Sequence, residues 1–342
     1  MRPPEAAPPR AGGKNRPRGG RGHPRPTAMR LATLLPAAGA KPAPAVAAPD
    51  GSWIELAALT GRDVSRLEDA LPWAAAQAAS IEALAARWSG ARHWEGAVTF
   101  LPPVVRPPSF RDFYAFEAHV RAARARRGLK MVPEWYEIPA FYFSNHNALI
   151  GHDAEAAPPA GCRELDYELE LGIVIGEGGR DIAPDRAWAH VAGLTIVNDL
   201  SARDLQRAEM AVGLGPAKGK DFGTAVGPCL ATLSAFADRI IGERLTLEMA
   251  ARVNGRELSR GNAASLHHSI PRLVAHASRD AQLFPGDLLA TGTVGTGCIL
   301  ELGPENAGGW LEAGDVVELD IERIGVLRTR IGARRTPGVP TG

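Results

Sequence analysis

Only three cysteines occur in 342 residues, Cys162, Cys229 and Cys298. They lie far apart, lack the spacing of a zinc site and cannot all pair. That excludes a disulfide scaffold and points to a reducing, cytoplasmic setting. No apolar run is long enough to span a bilayer, so we expect no membrane partner. The first 28 residues lack the apolar h-region of a secretory signal, so we do not expect them to act as one. Two nucleotide signatures also fail. "VIGEGGRD" offers Gly176 and Gly178 after a strand, but Asp181 stands where a dinucleotide fingerprint needs its third glycine. "GPAKGKD" is one residue short between Gly215 and Gly219, and Asp221 replaces the hydroxyl residue of a phosphate loop.

The composition that remains, 45% hydrophobic and 23% charged, is that of an ordinary globular chain long enough for one large and one small domain. The formal charge of +1 hides an asymmetry. Residues 1–28 hold seven Lys/Arg, one acid and seven prolines. Taking them from the chain's 39 basic and 38 acidic residues leaves 32 and 37. They read as a disordered, basic, Pro-rich extension, with Met29 in "MRLATLL" as an alternative start. We expect no nucleic-acid partner. A small N-terminal domain is expected over residues 29–104. It has a short strand in "GSWIELAAL" and an Ala-rich helical stretch over 64–88 that Pro72 interrupts. The Pro-rich "LPPVVRPPS" leads into a β-rich body over residues 105–331, and 332–342 reads as a flexible tail.

Acids stand where a buried strand should have none. "LDYELELGIVIG" (Leu165–Gly176) carries Glu168 and Glu170 on one face, with Leu169, Leu171, Ile173 and Ile175 on the other. Two buried carboxylates side by side need a positive group between them. Asp199 ends the apolar run of "GLTIVNDLSARDLQ", where it reads either as a helix N-cap or as a third acid of one site. Oxygen ligands without His or Cys suit Mg²⁺, Mn²⁺ or Ca²⁺ rather than zinc. A salt-bridged sheet face explains a lone Glu-x-Glu equally well. Asp199, Arg203 and Gln206 fall at i, i+4, i+7, as on one helix face. Lys220 follows a Gly-rich turn, with Gly223 and Thr224 beside it. A helix is expected from Phe110 to Arg127, with Ser109-x-x-Asp112 as a capping box and Asp112 and His119 on one face, roughly 10 Å apart. His267 and His268 read as structural or capping.

These pieces, "DFYAFEAH", "IPAFY", "LDYELEL", "NDLSARDLQ", "GKDFGT", "GDLLATGT" and "CILEL", resemble the fumarylacetoacetate hydrolase family in identity and order from Ser109 to Ile331. The resemblance implies an α+β, β-rich fold, a mixed β-sandwich or β-roll catalytic domain with flanking helices. It implies that Asp112, Glu168, Glu170 and Asp199 are metal carboxylates, with Lys220, Gly223 and Thr224 beside the metal, which would be Mg²⁺ or Ca²⁺, with Mn²⁺ as an alternative. His119 would be the general base and Glu301 the acid that orients it. Tyr114, Tyr142, Arg203, Gln206 and Thr293 would contact substrate, with Arg203, Gln206 and Lys220 stabilising an oxyanion. The implied reaction is hydrolysis of a carbon–carbon bond in a fumarylacetoacetate- or acylpyruvate-type diketo acid through a metal-stabilised enolate. The alternatives are decarboxylase, hydratase or tautomerase action on a 2-oxo acid, or a silent small-molecule-binding protein. The resemblance also implies a homodimer. The sequence departs from the family around "IPAFYFSNHN" and in the loop holding Lys218, which bear on the substrate.

The composition of residues 1–28 generates one expectation. A chain starting at Met29 should keep its melting temperature and its turnover, measured by thermal scan and steady-state assay. A large loss in either would refute it.

Overall fold

The computed structural model describes residues 29–37 and 39–336, so the expectations for 1–28 and 337–342 fall outside the described residues. Strands β1 (Arg30–Leu35), β2 (Ala43–Ala47) and β3 (Trp53–Glu55) form an antiparallel meander. Three short helices follow, α1 (Leu56–Thr60), α2 (Leu67–Ala74) and α3 (Ala78–Arg87), and β4 (Thr99–Leu101) returns to β1. Pro72 lies inside α2, and the helical stretch breaks only after Ala74. The proline obstructs the carbonyl four residues back, Glu68, which is already in the first turn, so little helix is lost.

Next come β5 (Phe110–Phe113), α4 (Glu117–Arg126), α5 (Pro133–Glu137), β6 (Phe141–Phe143), β7 (Leu149–Ile150) and β8 (Glu155–Ala156). The expected single helix from Phe110 is thereby corrected: its first four residues are a strand and the helix starts at Glu117. Ser109 is not a capping residue, because its hydroxyl donates to Asp287 Oδ1 at 2.7 Å. Asp112 is fixed by strand pairing to Tyr142 on one side and Ala290 on the other.

The acid-bearing segment splits into β9 (Leu165–Asp166) and β10 (Leu169–Ile175), with Glu168 in the break. Then follow α6 (Ala187–His190), β11 (Val191–Asn198), β12 (Ser201–Ala202), α7 (Arg203–Val212) and β13 (Thr224–Thr232). Asp199 therefore precedes α7 rather than sharing its face, since β12 intervenes. The hairpin β14 (Ile240–Ile241) and β15 (Arg244–Leu245) leads to β16 (Glu248–Val253), β17 (Arg256–Asn262), α8 (Ile270–Ser278) and β18 (Leu288–Thr293). The "CILEL" run is a single helical turn, α9 (Ile299–Leu302). It is followed by α10 (Pro304–Ala307), β19 (Val316–Ile321) and β20 (Gly325–Ile331).

One sheet runs β3-β2-β1-β13-β11-β10-β18-β5-β6, and a second runs β17-β16-β19-β20-β8. Period two decides how they stack. Leu171, Ile173, Leu194 and Ile196 face the second sheet, where Met249, Leu319 and Leu327 complete one core. Val174, Val197, Leu230 and Leu288 face the other way and are covered by Leu56, Leu67, Leu71 and Ile81 of the helices. This mixed, sheet-rich α+β fold is the one expected. The meander of residues 30–55 is hydrogen-bonded straight onto β13 through Arg30 and Leu31, so it shares a sheet and a core with the body. The three cysteines are free and buried. No helix among the described residues is long and apolar enough to cross a membrane.

Gly292 near the end of β18 has φ +80°, and a Cβ there would meet the Phe113 backbone carbonyl. Gly292→Ala should therefore cost about 1–3 kcal/mol of stability through strain and forced separation of β18 from β5. Gly223 has open space, with nothing within 4 Å, and Gly223→Ala should leave stability unchanged. Denaturant midpoints of the two variants measure the contrast.

Candidate active site

The site gathers where β5, β10, β11 and β18 end. Asp112 reaches it from β5, Glu170 from β10 and Asp199 from the residue after β11. Each offers a carboxylate oxygen, and the three oxygens lie within 4.8 Å of one another. Asp112 is 2% exposed, Glu170 1% and Asp199 0%, so water does not screen them. Two hydroxyls brace the trio from one side. Tyr142 donates to Asp199 Oδ2 at 2.8 Å and lies 3.3 Å from Asp112 Oδ2, while Thr293 Oγ1 donates to Glu170 Oε1 at 3.3 Å. Thr224 Oγ1 stands 3.5 Å from Asp199 Oδ1, and Gly223 is buried beside it. Asp112 Oδ1 and Glu170 Oε2 have no hydrogen-bond partner although both are buried. Buried carboxylate oxygens are seldom left so unless something binds them.

Glu168 stands beside the trio in a different environment. Arg203 Nη2 donates to its Oε1 at 2.6 Å, and Lys220 Nζ bridges its Oε2 and Asp199 Oδ2. Arg203 also donates through Nη1 to Gln206 Oε1 at 3.0 Å, one helical turn along α7. The ionisation preferences follow these partners. Burial and then Asp199 push Asp112 well above the usual carboxylate range, and burial and then Asp112 do the same to Glu170. Burial also raises Asp199, against the pull of Lys220. Burial would raise Glu168 too, but Arg203 and Lys220 outweigh it and hold that carboxyl below its ordinary value.

His119 comes from the first turn of α4 and Glu301 from α9, 182 residues later, and they meet with Nδ1 and Oε1 2.6 Å apart. Glu301 Oε2 accepts the Thr296 amide at 3.0 Å, which fixes the carboxylate. Nε2 of His119 is left facing the acids, 3.9 Å from Glu168 Oε1. The Tyr114 ring stands edge-on to the imidazole, centroids 5.5 Å apart, and burial pushes its hydroxyl up to about 12. Cys298 also lies close to His119 and Glu301, but 2.6 Å between nitrogen and oxygen is a hydrogen bond, not the span of two ligands around an ion. A cleft of about 600 Å³, lined by Pro108, Phe143, Asn145 and His146 among others, opens beside Tyr142 and Lys220.

His267 and His268 stay out of the site. Their Nε2 atoms bond the Tyr136 and Trp135 carbonyls at 3.2 and 3.0 Å, tying α5 to the start of α8. One residue escaped the sequence reading. Asp166 is fully buried and accepts from Arg203 Nε at 2.9 Å and from the Ile299 and Leu300 amides at 2.7 and 3.0 Å. It has the same parity as Glu168 and Glu170 in "LDYELEL", and that alternation could have found it.

The model of the family described as fumarylacetoacetate (FAA) hydrolase, C-terminal, matches residues 109–332, which include the acids, Arg203, Lys220 and the His119–Glu301 pair. The chain is 34% identical over 201 residues to 2,4-didehydro-3-deoxy-L-rhamnonate hydrolase of Sphingomonas sp. (strain SKA58), covering 58% of this chain and 67% of that one. It is 39% identical over 172 residues to oxaloacetate tautomerase YisK of Bacillus subtilis (strain 168), covering 49% and 52%. The chain thus spans about half to two thirds of the length of these relatives. Among solved structures, maleylpyruvate hydrolase from Sphingobium sp. SYK-6, in complex with manganese(II) and pyruvate, superposes with a TM-score of 0.68 at 24% identity, over 90% of this chain and all of that one, and so shares the fold. With a family match over more than half its length, the chain belongs to the fumarylacetoacetate hydrolase family.

Proposed function

We propose that the protein is a metal-dependent hydrolase that cleaves a carbon–carbon bond in a fumarylacetoacetate- or acylpyruvate-type diketo acid. The observation that carries this reading is the His119–Glu301 pair set against the acid trio. Glu301 accepts a hydrogen bond from Nδ1–H, so Nε2 keeps its lone pair on the side facing the acids, where it can accept a proton from water. Such general-base help is typically worth about 10²–10⁴ in rate. Lys220, Arg203 and Gln206 supply fixed donors on the same side, suited to an oxyanion; losing one such donor often costs about 10²–10³. Tyr142 and Lys220 border the cleft through which substrate would reach them.

The donor set fits a divalent metal. Two buried, unpartnered carboxylate oxygens and a third oxygen within reach suit a hard cation, Mg²⁺, Ca²⁺ or Mn²⁺. Asp112, Glu170 and Asp199 would hold it, with Glu168 contributing through the lone pairs that its ion pairs leave free. When bound, the cation supplies a Lewis acid for the substrate's paired oxygens.

A second reading is tautomerase action on a 2-oxo acid, favoured by the 39% identity to an oxaloacetate tautomerase. The same imidazole would then move a proton at carbon without any water. A panel of acylpyruvates and enol-oxaloacetate, assayed with Mg²⁺, Mn²⁺ and Ca²⁺, decides between them. Loss of diketone absorbance with release of two acids supports hydrolysis. Enol-to-keto conversion with no acid released replaces it with the tautomerase reading.

Two further outcomes are expected. His119→Ala and Glu301→Ala should each remove most of the turnover while sparing metal affinity, and the double variant should be hardly worse than either single one. Independent, multiplying losses in a steady-state cycle would break the pair. The second outcome concerns pH. Asp112 and Glu170 carry raised values in the metal-free fold, so they bind protons that the unfolded chain has already released. Stability of the metal-free protein should fall as pH rises above the ordinary carboxylate range. A divalent cation needs both groups ionised, so its stabilising effect should grow over the same window. Melting temperatures with chelator and with Mn²⁺ at about pH 5 and about pH 8 measure both slopes. No cation-induced shift at either pH would remove the metal site.

A further inference from the structure

Asp166 belongs neither to the acid trio nor to the His119–Glu301 pair, yet it touches the supports of both. It lies on β9, whose pairing with β12 sets Asp166 opposite Ser201, two residues before Arg203. Its Oδ2 accepts from Arg203 Nε at 2.9 Å and from the Leu300 amide at 3.0 Å, and its Oδ1 accepts from the Ile299 amide at 2.7 Å. Ile299 and Leu300 are the first two residues of α9, the turn that carries Glu301. A four-residue helix has too few internal bonds to hold its own place, so its position depends on what binds its free amides. On the other side, the Arg203 guanidinium that Asp166 anchors is the one that grips Glu168.

We propose that Asp166 is a positioning residue that ties the turn bearing Glu301 to the arginine bearing on Glu168, and so keeps His119 in register with the acid cluster. One carboxylate meets three donors, two amides and a guanidinium, and all three need an acceptor. No neutral side chain of that size satisfies them. In Asp166→Asn the amide nitrogen must face at least one N–H, donor against donor, so either α9 or Arg203 is released. The proposal rests on the reading of His119 and Glu301 as a working pair, and its test has one arm that does not.

That arm is hydrogen exchange in the resting protein. Asp166→Asn should speed exchange of the Ile299 and Leu300 amides while exchange in β10 and β11 stays unchanged. Unchanged exchange at α9 overturns the hold on that turn. The kinetic arm uses the diketo acid turned over fastest. Asp166→Asn should lower kcat about 10- to 100-fold, with KM and metal affinity little altered. In a His119→Ala background the same change should have almost no further effect. A merely structural carboxylate would lower the melting temperature and multiply into the His119→Ala loss, and that result overturns the proposal. Should Asp166→Asn fail to fold, Asp166→Glu keeps the charge, shifts the acceptors by one methylene and runs the same two arms. If His119→Ala alone leaves turnover intact, the pair itself has failed, and hydrogen exchange still judges the hold on α9.

Discussion

Arg203 and Lys220 are two buried cations in a volume that holds five buried carboxylates, Asp112, Asp166, Glu168, Glu170 and Asp199. Removing one charge from water costs several kcal/mol even after relaxation, so such a cluster survives only if its members compensate each other. Here the compensation is uneven. Arg203 spans Asp166 and Glu168, and Lys220 spans Glu168 and Asp199, so three acids share two cations. Asp112 and Glu170 are left with hydroxyl donors alone. Compensation by cations is thus weakest at Asp112 and Glu170.

The fold supplies what that cluster requires. The acids sit at or beside the ends of strands in the middle of the central sheet. Layers on both faces exclude water: a second sheet on one side and the helices α1–α3 on the other. The His119–Glu301 pair comes from outside this frame. His119 and Glu301 lie on two short helices outside the sheet, with both side chains buried and the Thr296 amide donating to Glu301 Oε2.

Much of this was legible in the sequence, for local reasons. Alternation in "LDYELELGIVIG" places Leu169, Leu171 and Ile173 in the inter-sheet core and turns Glu170 to the opposite face, because period two is a property of the backbone. Asp112 was assigned to a helix for an equally local reason. Ser109-x-x-Asp112 imitates a capping box, and a four-residue strand leaves no periodicity to contradict it; only pairing with β18 and β6 makes it a strand. Asp199 was set on the face of α7 because nothing local announces the two-residue strand between them. The meeting of His119 with Glu301 has no local signature at all. Across 182 residues it was available only through resemblance to a family. Asp166 shares the parity of Glu168 and Glu170, but its partners, two backbone amides and Arg203, have no signature in the local sequence.

The seam between β1 and β13 has a consequence for the order of assembly. Arg30 pairs with Ala231, a separation of about two hundred residues, and β13 is the strand that continues into the rest of the central sheet. As the chain leaves the ribosome, β1 to β3 and the helices after them emerge first, but the surface that they cover does not yet exist. Until β13 follows, Leu31, Val46, Ile54 and Leu71 can pack only among themselves and their local neighbours, without Val174, Val197, Val226 and Leu230. Loop closure over such distances slows folding, so the meander is a late-docking piece despite being made first. During that interval, chaperone binding and aggregation compete for the same leucines and valines that the finished protein hides.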